Sequence, residues 1–208
     1  MEETFNPNAP AMMPANVDIR RAAKATLSGR WLNPVLCTLV YVVIAGVLGA
    51  IPWLGYVATL LVVCPLGFGY SVAFLRHVRG EDVDGLVTRP FDAFKEYGRY
   101  LGTSLLMTVF VCLWTLLLII PGIIMGYAYS MTPYIMKDNP EMGAMDCIKK
   151  SKEMMRGYKW KLFLLDLGFI GWILLGCLTL GIYLLWVEPW MCTARAKFYE
   201  ELKARQNN

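Results

Sequence analysis

Met142–Trp160 reads MGAMDCIKKSKEMMRGYKW, and Lys161–Trp190 continues it as KLFLLDLGFIGWILLGCLTLGIYLLWVEPW. The first part is amphipathic and the second almost purely apolar. At 100° per residue, Ala144, Cys147, Ile148, Ser151, Met154, Met155 and Tyr158 fall on one side of a helix. Asp146, Lys149, Lys150, Lys152, Glu153 and Arg156 fall on the other. Asn139 can cap such a helix, and Pro140 suits its first position, where a missing N–H costs nothing. Lys159, Trp160 and Lys161 have the cation–aromatic character of a headgroup-level anchor. The pattern predicts a short helix lying flat on a membrane that passes straight into a membrane span.

The same segregation extends outward. Of 208 residues, 57% are hydrophobic and 17% charged, too apolar a balance for an ordinary soluble domain. Leu32–Leu75 and Leu101–Met136 contain no Asp, Glu, Lys or Arg, and Leu162–Ala194 contains only Asp166 and Glu188. A span needs about 17 to 20 apolar residues, so each block has room for two. The expected fold is all-α and polytopic, with six transmembrane helices in three hairpins and cytoplasmic interfacial amphipathic helices. The spans are placed at about 32–50, 57–75, 100–118, 122–136, 160–178 and 182–198. They lie in a single membrane domain, 16–202, between a disordered tail at 1–15 and a polar tail at 203–208. Met1–Ala15 lacks the short apolar core of a secretory signal.

A weak repeat underlies the hairpins. Gly29-Arg30-Trp31, Gly98-Arg99-Tyr100 and Gly157-Tyr158-Lys159-Trp160 each place a glycine, a cation and an aromatic before a first span. Arg30, Trp31, Arg99, Tyr100, Lys159 and Trp160 are thus the expected interface anchors. Pro65, Pro133 and Pro189 recur in the second spans. The turns near Ile51–Tyr56, Ile120–Gly122 and Thr179–Gly181 hold none of the twenty Lys and Arg residues. The positive-inside bias makes the other face, with both termini, cytoplasmic. Its cations suit anionic lipid headgroups, at about 1 kcal/mol each near the surface. The net charge of +4 then needs no nucleic-acid partner.

The six cysteines form no Cys-x-x-Cys pair, which suits small reduced hydrophobes. His77 is the only histidine, and the two intramembrane carboxylates have no third ligand, so no metal or cofactor is expected. Asp166 lies about 9 Å past Trp160 along a helix, within reach of Lys159 on the same face. Glu188 falls near mid-bilayer, where an ionisable group is a functional candidate by default. Arg195, two turns on, is the nearest cation in its own span. Ser151 has no His or Lys base at a nucleophile's spacing, which argues against a serine enzyme.

Family resemblance rests on Asp138-Asn139-Pro140, Ala144, Ser151, Met154-Met155-x-Gly157-x-Lys159, Leu162-Phe163, Phe169-Ile170-Gly171-Trp172, Leu178-Thr179-x-Gly181-Ile182, Leu185-Trp186, Pro189 and Phe198-Tyr199. Over these the chain resembles the bacterial integral membrane family called domain of unknown function nine-seventy-five. More distantly, it is similar to the membrane domain of some glycerophosphodiester phosphodiesterases. It departs at Gly168, where serine is expected, at Tyr183, where glycine is usual, and at Glu188, where an apolar residue is expected. The resemblance implies a six-helix inner-membrane protein without established activity, and it carries over no phosphodiesterase site. The expected role is a non-enzymatic scaffold or accessory protein that organises lipids or a membrane-protein partner. The alternative is a small transporter with Glu188 on its path; a lipid enzyme ranks last.

Overall fold

Every regular element among the described residues is helical, and each break falls where the sequence supplies a glycine, a proline or a polar turn. The computed structural model describes residues 13–51, 54–81, 85–179 and 181–206. In order, the elements are α1 (Asn16–Leu27), α2 (Leu32–Gly49), and α3 (Leu54–Ala58), which runs through a π-helical stretch into α4 (Cys64–Arg79). A 3₁₀ turn (Arg89–Phe94) leads to α5 (Tyr97–Leu117) and α6 (Ile119–Tyr129). After α7 (Thr132–Asp138) come α8 (Ala144–Met154), α9 (Lys159–Leu167), α10 (Ile170–Leu178) and α11 (Leu184–Gln206). Four stretches are long and apolar enough to cross a bilayer: Leu32–Gly49, Gly55–Arg79, Tyr97–Leu117 and Lys159–Leu178. Four such stretches in one chain have the length and composition of a membrane protein.

The prolines leave identifiable gaps in the backbone ladder, and side chains fill two of them. Pro65 cannot donate to the Leu61 carbonyl, which instead accepts from the Tyr97 hydroxyl at 2.9 Å. Pro133 cannot donate to the Tyr129 carbonyl, which accepts from Thr132 Oγ1 at 2.7 Å.

Two predicted spans need correction. The fourth, 122–136, is no single helix: α6 stops at Tyr129, a turn at Ser130–Met131 follows, and α7 starts afresh. The sixth, 182–198, is the first part of α11, which begins at Leu184 and runs unbroken through Pro189 to Gln206. The predicted polar tail from residue 203 is therefore helical as far as Gln206. Met13 and the following residues are not a free tail either, since Met13 is buried and its carbonyl accepts from Lys161 Nζ at 2.7 Å. Residues 1–12, Pro52, Trp53, Leu180 and 207–208 of the predicted tails and turns lie outside the described residues.

The core sits at the basic end. Leu75, Ile135, Met136, Met155, Leu162, Phe169, Phe198 and Tyr199, from α4, α7, the turn after α8, α9 with its following turn, and α11, bury together there. Several apolar helix ends stand bare. Leu116, Leu117, Leu118, Ile119 and Ile120 are 63–87% exposed, and Tyr56 and Leu178 are 82% exposed. A continuous apolar surface of this kind requires lipid or a partner.

Helix α8 shows the expected faces with a different partner. Cys147, Ile148, Ser151, Met154 and the adjacent Met155 are buried and Tyr158 is half-buried, while Asp146, Lys149, Lys152, Glu153 and Arg156 are exposed. The stripe packs on protein: Ile148 lies against Met125, Ala128 and Tyr129, and Ser151 Oγ donates to the Ala128 carbonyl at 2.8 Å. The ends also differ from expectation. Asn139 closes α7, donating through Nδ2 to the Ile135 carbonyl at 2.8 Å, and α8 begins only after Gly143. Nor does α8 pass straight into α9, because Met155–Tyr158 turns at Gly157, whose φ of +84° suits glycine. Replacing Ser151 with alanine should cost about 1 kcal/mol in detergent unfolding, whereas Lys149→Ala should stay within about 0.5 kcal/mol. Equal effects would contradict this assignment of faces.

By holding α6, α8 also sets the direction of the α5–α6 pair. Leu118 is extended and reverses the chain, and Gly122 sits so close to Thr115 that a β-carbon has no room. Ile120, Ile123, Ile124 and Tyr127 then line one apolar recess of about 390 Å³ with Lys159, Trp160 and Phe163. Helix α6 packs beside α9, with the Tyr127 and Phe163 rings edge to face at 5.9 Å. Ile120 of the predicted outer turn thus shares a recess with Lys159 and Trp160 of the predicted anchor.

Candidate functional site

The polar residues inside the apolar helices converge on α11. Asp166, at the end of α9, meets Arg195 from α11 in a two-pronged pair, with Nε to Oδ1 at 3.1 Å and Nη2 to Oδ2 at 2.7 Å. Its partner is therefore Arg195 and not Lys159, because the packing of α9 on α11 brings the fork-shaped guanidinium to the carboxylate edge. The same bond draws Arg195 away from Glu188.

Glu188 lies one turn above Cys192, whose Sγ donates to Oε1 at 3.9 Å. It lies near Tyr41 of α2 and Tyr70 of α4. Those two rings stack at 5.1 Å, and the Tyr70 hydroxyl bonds to Thr38 Oγ1 at 2.8 Å. Glu188 thus faces the α2–α4–α11 junction, and no ion pair among the described residues includes it.

Helix α1 closes the other side of α11. Arg20 donates from Nη1 to the Gly168 carbonyl at 2.5 Å and lies over the Phe169 ring at 5.8 Å. Trp190 Nε1 donates to the Arg20 carbonyl at 2.9 Å, and Lys24 lies 5.6 Å over that indole. A β-carbon at residue 168 would collide with the guanidinium of Arg20. That collision gives a local reason for glycine where the family resemblance expects serine.

The polar centre of the base is a feature that the pattern of residues did not announce. Asp138, at the end of α7, accepts both prongs of Arg79 at 2.6 and 2.8 Å, the Tyr199 hydroxyl at 2.9 Å and Lys203 Nζ at 2.5 Å. Arg79 also donates to Glu200 at 2.9 and 2.7 Å. Burial alone would raise the Asp138 pKa, but the bonds from Arg79, Lys203 and Tyr199 outweigh it and hold the carboxyl well below the usual carboxylate range. A signal existed: Asp138 and Tyr199 both carry the family resemblance, 61 residues apart, and here they bond to each other.

The predicted anchors divide. Arg30 and Trp160 are exposed, Trp31 and Lys159 partly so, and Trp160 stacks on Phe163 at 5.0 Å. Arg99 instead closes the end of α7, donating to the Met136 and Asn139 carbonyls at 2.8 and 2.6 Å. Tyr100 is buried in the core. They are tied into protein because α8 and the α7 end cover the start of α5.

Among the described residues no group of His, Cys, Asp and Glu is placed to hold a metal ion. Residues 115–206 match the family model described as Protein of unknown function (DUF975), and residues 1–114 lie outside the match. No curated protein and no solved structure matches the chain.

Proposed function

We propose that this chain, whose residues 115–206 are a domain of that family of unknown function, is a multi-pass inner-membrane scaffold or accessory protein. It has no enzymatic activity and organises lipids or a membrane-protein partner. The basic base and both termini face the cytoplasm, and the exposed cations of α8 meet anionic headgroups there. The supporting observation is how the polar groups of the apolar helices are used. Asp166 holds Arg195, Thr38 holds Tyr70, and Arg20 holds the Gly168 carbonyl, so each joins one helix to another. Such cross-links suit a fixed assembly better than a moving one.

Glu188, half-buried near two tyrosines and in no ion pair among the described residues, favours a second reading as a proton-linked carrier. A pyranine assay on proteoliposomes under a pH gradient separates the two. The scaffold reading expects proton leakage no faster than in empty liposomes, for the wild type and for Glu188→Gln alike. Leakage well above that background in the wild type, abolished in Glu188→Gln, would establish the carrier.

A further inference from the structure

At the basic end a polar recess of about 280 Å³ opens between the end of α4, the 3₁₀ turn, the start of α5 and the end of α7. Arg76, Arg89, Lys95, Arg99 and Lys137 line it, against the two carboxylates Asp92 and Glu96, which leaves an excess of three positive charges. Asp92 alone serves three of these cations, Arg76 at 3.0 Å, Arg89 at 3.3 Å and Lys95 at 2.7 Å. Glu96 takes Arg99 at 3.1 Å, and Lys137 is in no ion pair among the described residues. Tyr100 also lines the recess and is only 7% exposed. Its hydroxyl lies near Arg76, Arg99, Asp92 and Glu96, and has no hydrogen-bond partner among the described residues. That oxygen is nevertheless not closed off from solvent. The little of Tyr100 that stays open thus includes its polar end, set among the charges of the recess.

We infer that this recess is a binding site for one phosphomonoester. Such a group carries about −1.5 to −2 charges near neutral pH and three strong acceptor oxygens, so it takes up most of the local excess. A phosphodiester takes up only one charge. The oxygens accept from the Tyr100 hydroxyl and from Lys137 Nζ, whose flexible stem lets the ammonium turn toward them. Arg76 and Lys95 add charge that their shared Asp92 does not balance. Asp92 and Glu96 stay paired with their cations, and the ligand meets the donors left over. The volume admits a phosphate with a short ester stub, since pockets for larger ligands begin near about 300 Å³. Two sources offer this chemistry, the head of a monoester lipid at the membrane surface and a soluble phosphomonoester. The inference deepens the reading of the basic face as the one that meets anionic groups, and rests on it.

The test is isothermal titration calorimetry of the full chain in a non-ionic detergent. The probes are glycerol 3-phosphate, dioctanoyl phosphatidic acid and dimethyl phosphate. Glycerol 3-phosphate should bind once per chain, and dimethyl phosphate at least tenfold more weakly. Dioctanoyl phosphatidic acid separates the sources. Displacement of glycerol 3-phosphate with tenfold or greater affinity identifies a lipid head, and any lesser affinity a soluble ester. Lys137→Gln should lower monoester affinity at least fivefold. Tyr100→Phe keeps the ring in the core and should lower it at least threefold, both with an unchanged melting temperature. Lys149→Gln removes an equal charge on α8 outside the recess and should leave affinity as it was. Absence of saturable binding by either monoester would overturn the proposal, and so would dimethyl phosphate binding as tightly. Full affinity in both Lys137→Gln and Tyr100→Phe, or an equal loss in Lys149→Gln, would do the same. Co-flotation of the chain with phosphatidylcholine liposomes checks membrane embedding separately, so a failed phosphate site and a failed membrane reading give different results.

Discussion

Asp138→Ala should lower stability by about 3 kcal/mol or more, the largest single effect expected outside the apolar helices. The carboxylate side chain is only 10% exposed and holds α4, α7 and α11 together through Arg79, Tyr199 and Lys203. Its removal leaves a buried phenol without an acceptor and Arg79 with Glu200 as its main partner. The effect depends on pH in a defined direction. The folded carboxyl titrates well below its unfolded value of about 3.9. Its contribution is thus complete above that value and is lost as pH falls through the lower, folded one. Thermal unfolding in detergent between pH 7 and pH 3 should show the wild type weakening at the acid end. Asp138→Asn should be weaker throughout and lack that part of the slope. A wild type and Asp138→Asn with parallel pH profiles would remove Asp138 from the account.

The second large effect belongs to Asp166 and Arg195. Asp166→Leu or Arg195→Leu alone should each cost about 3 kcal/mol, because either leaves a charge in an apolar setting without its partner. The double variant should recover most of the loss, since two well-packed apolar residues can replace a buried pair at little or no cost. The coupling energy from the four-way cycle is the deciding quantity. Losses that simply add would mean that the two residues contribute separately.

The sequence carried the local layer of this fold and little of the rest. The faces of α8 follow from a 3.6-residue period, a property of the helix alone, and they appear with the expected burial. Which surface covers that stripe depends on other helices, and α6 took the place assigned to lipid. Asn139 illustrates a local ambiguity. A side-chain amide can serve either end of a helix, and here the preceding one ends first. Asp166 illustrates a distant one. Lys159 and Arg195 are both sound partners on charge, and only the contact between α9 and α11, 29 residues apart at the pair, decides between them. Hydropathy likewise counts apolar residues without placing them, so it could not show that Ile120 shares a recess with Lys159 and Trp160.

The docking of α1 sets an order of events during synthesis. Asn16 bonds to Lys161, 145 residues later, and Arg20 to Trp190, 170 residues later. At the usual 5–20 residues per second, the ribosome takes on the order of ten to thirty seconds to supply those partners. Helix α1, made long before its partners, is therefore among the last to be seated. Throughout that interval Ile19, Ala23 and Leu27, fully covered in the finished protein, lack the surface that covers them. The bilayer surface is the nearest shelter for such an amphipathic stripe, with Arg21 and Lys24 turned toward the headgroups. Arrival of the C-terminal quarter then lifts α1 from lipid onto protein, so a nascent chain truncated before Trp190 should leave its N-terminal helix open to protease.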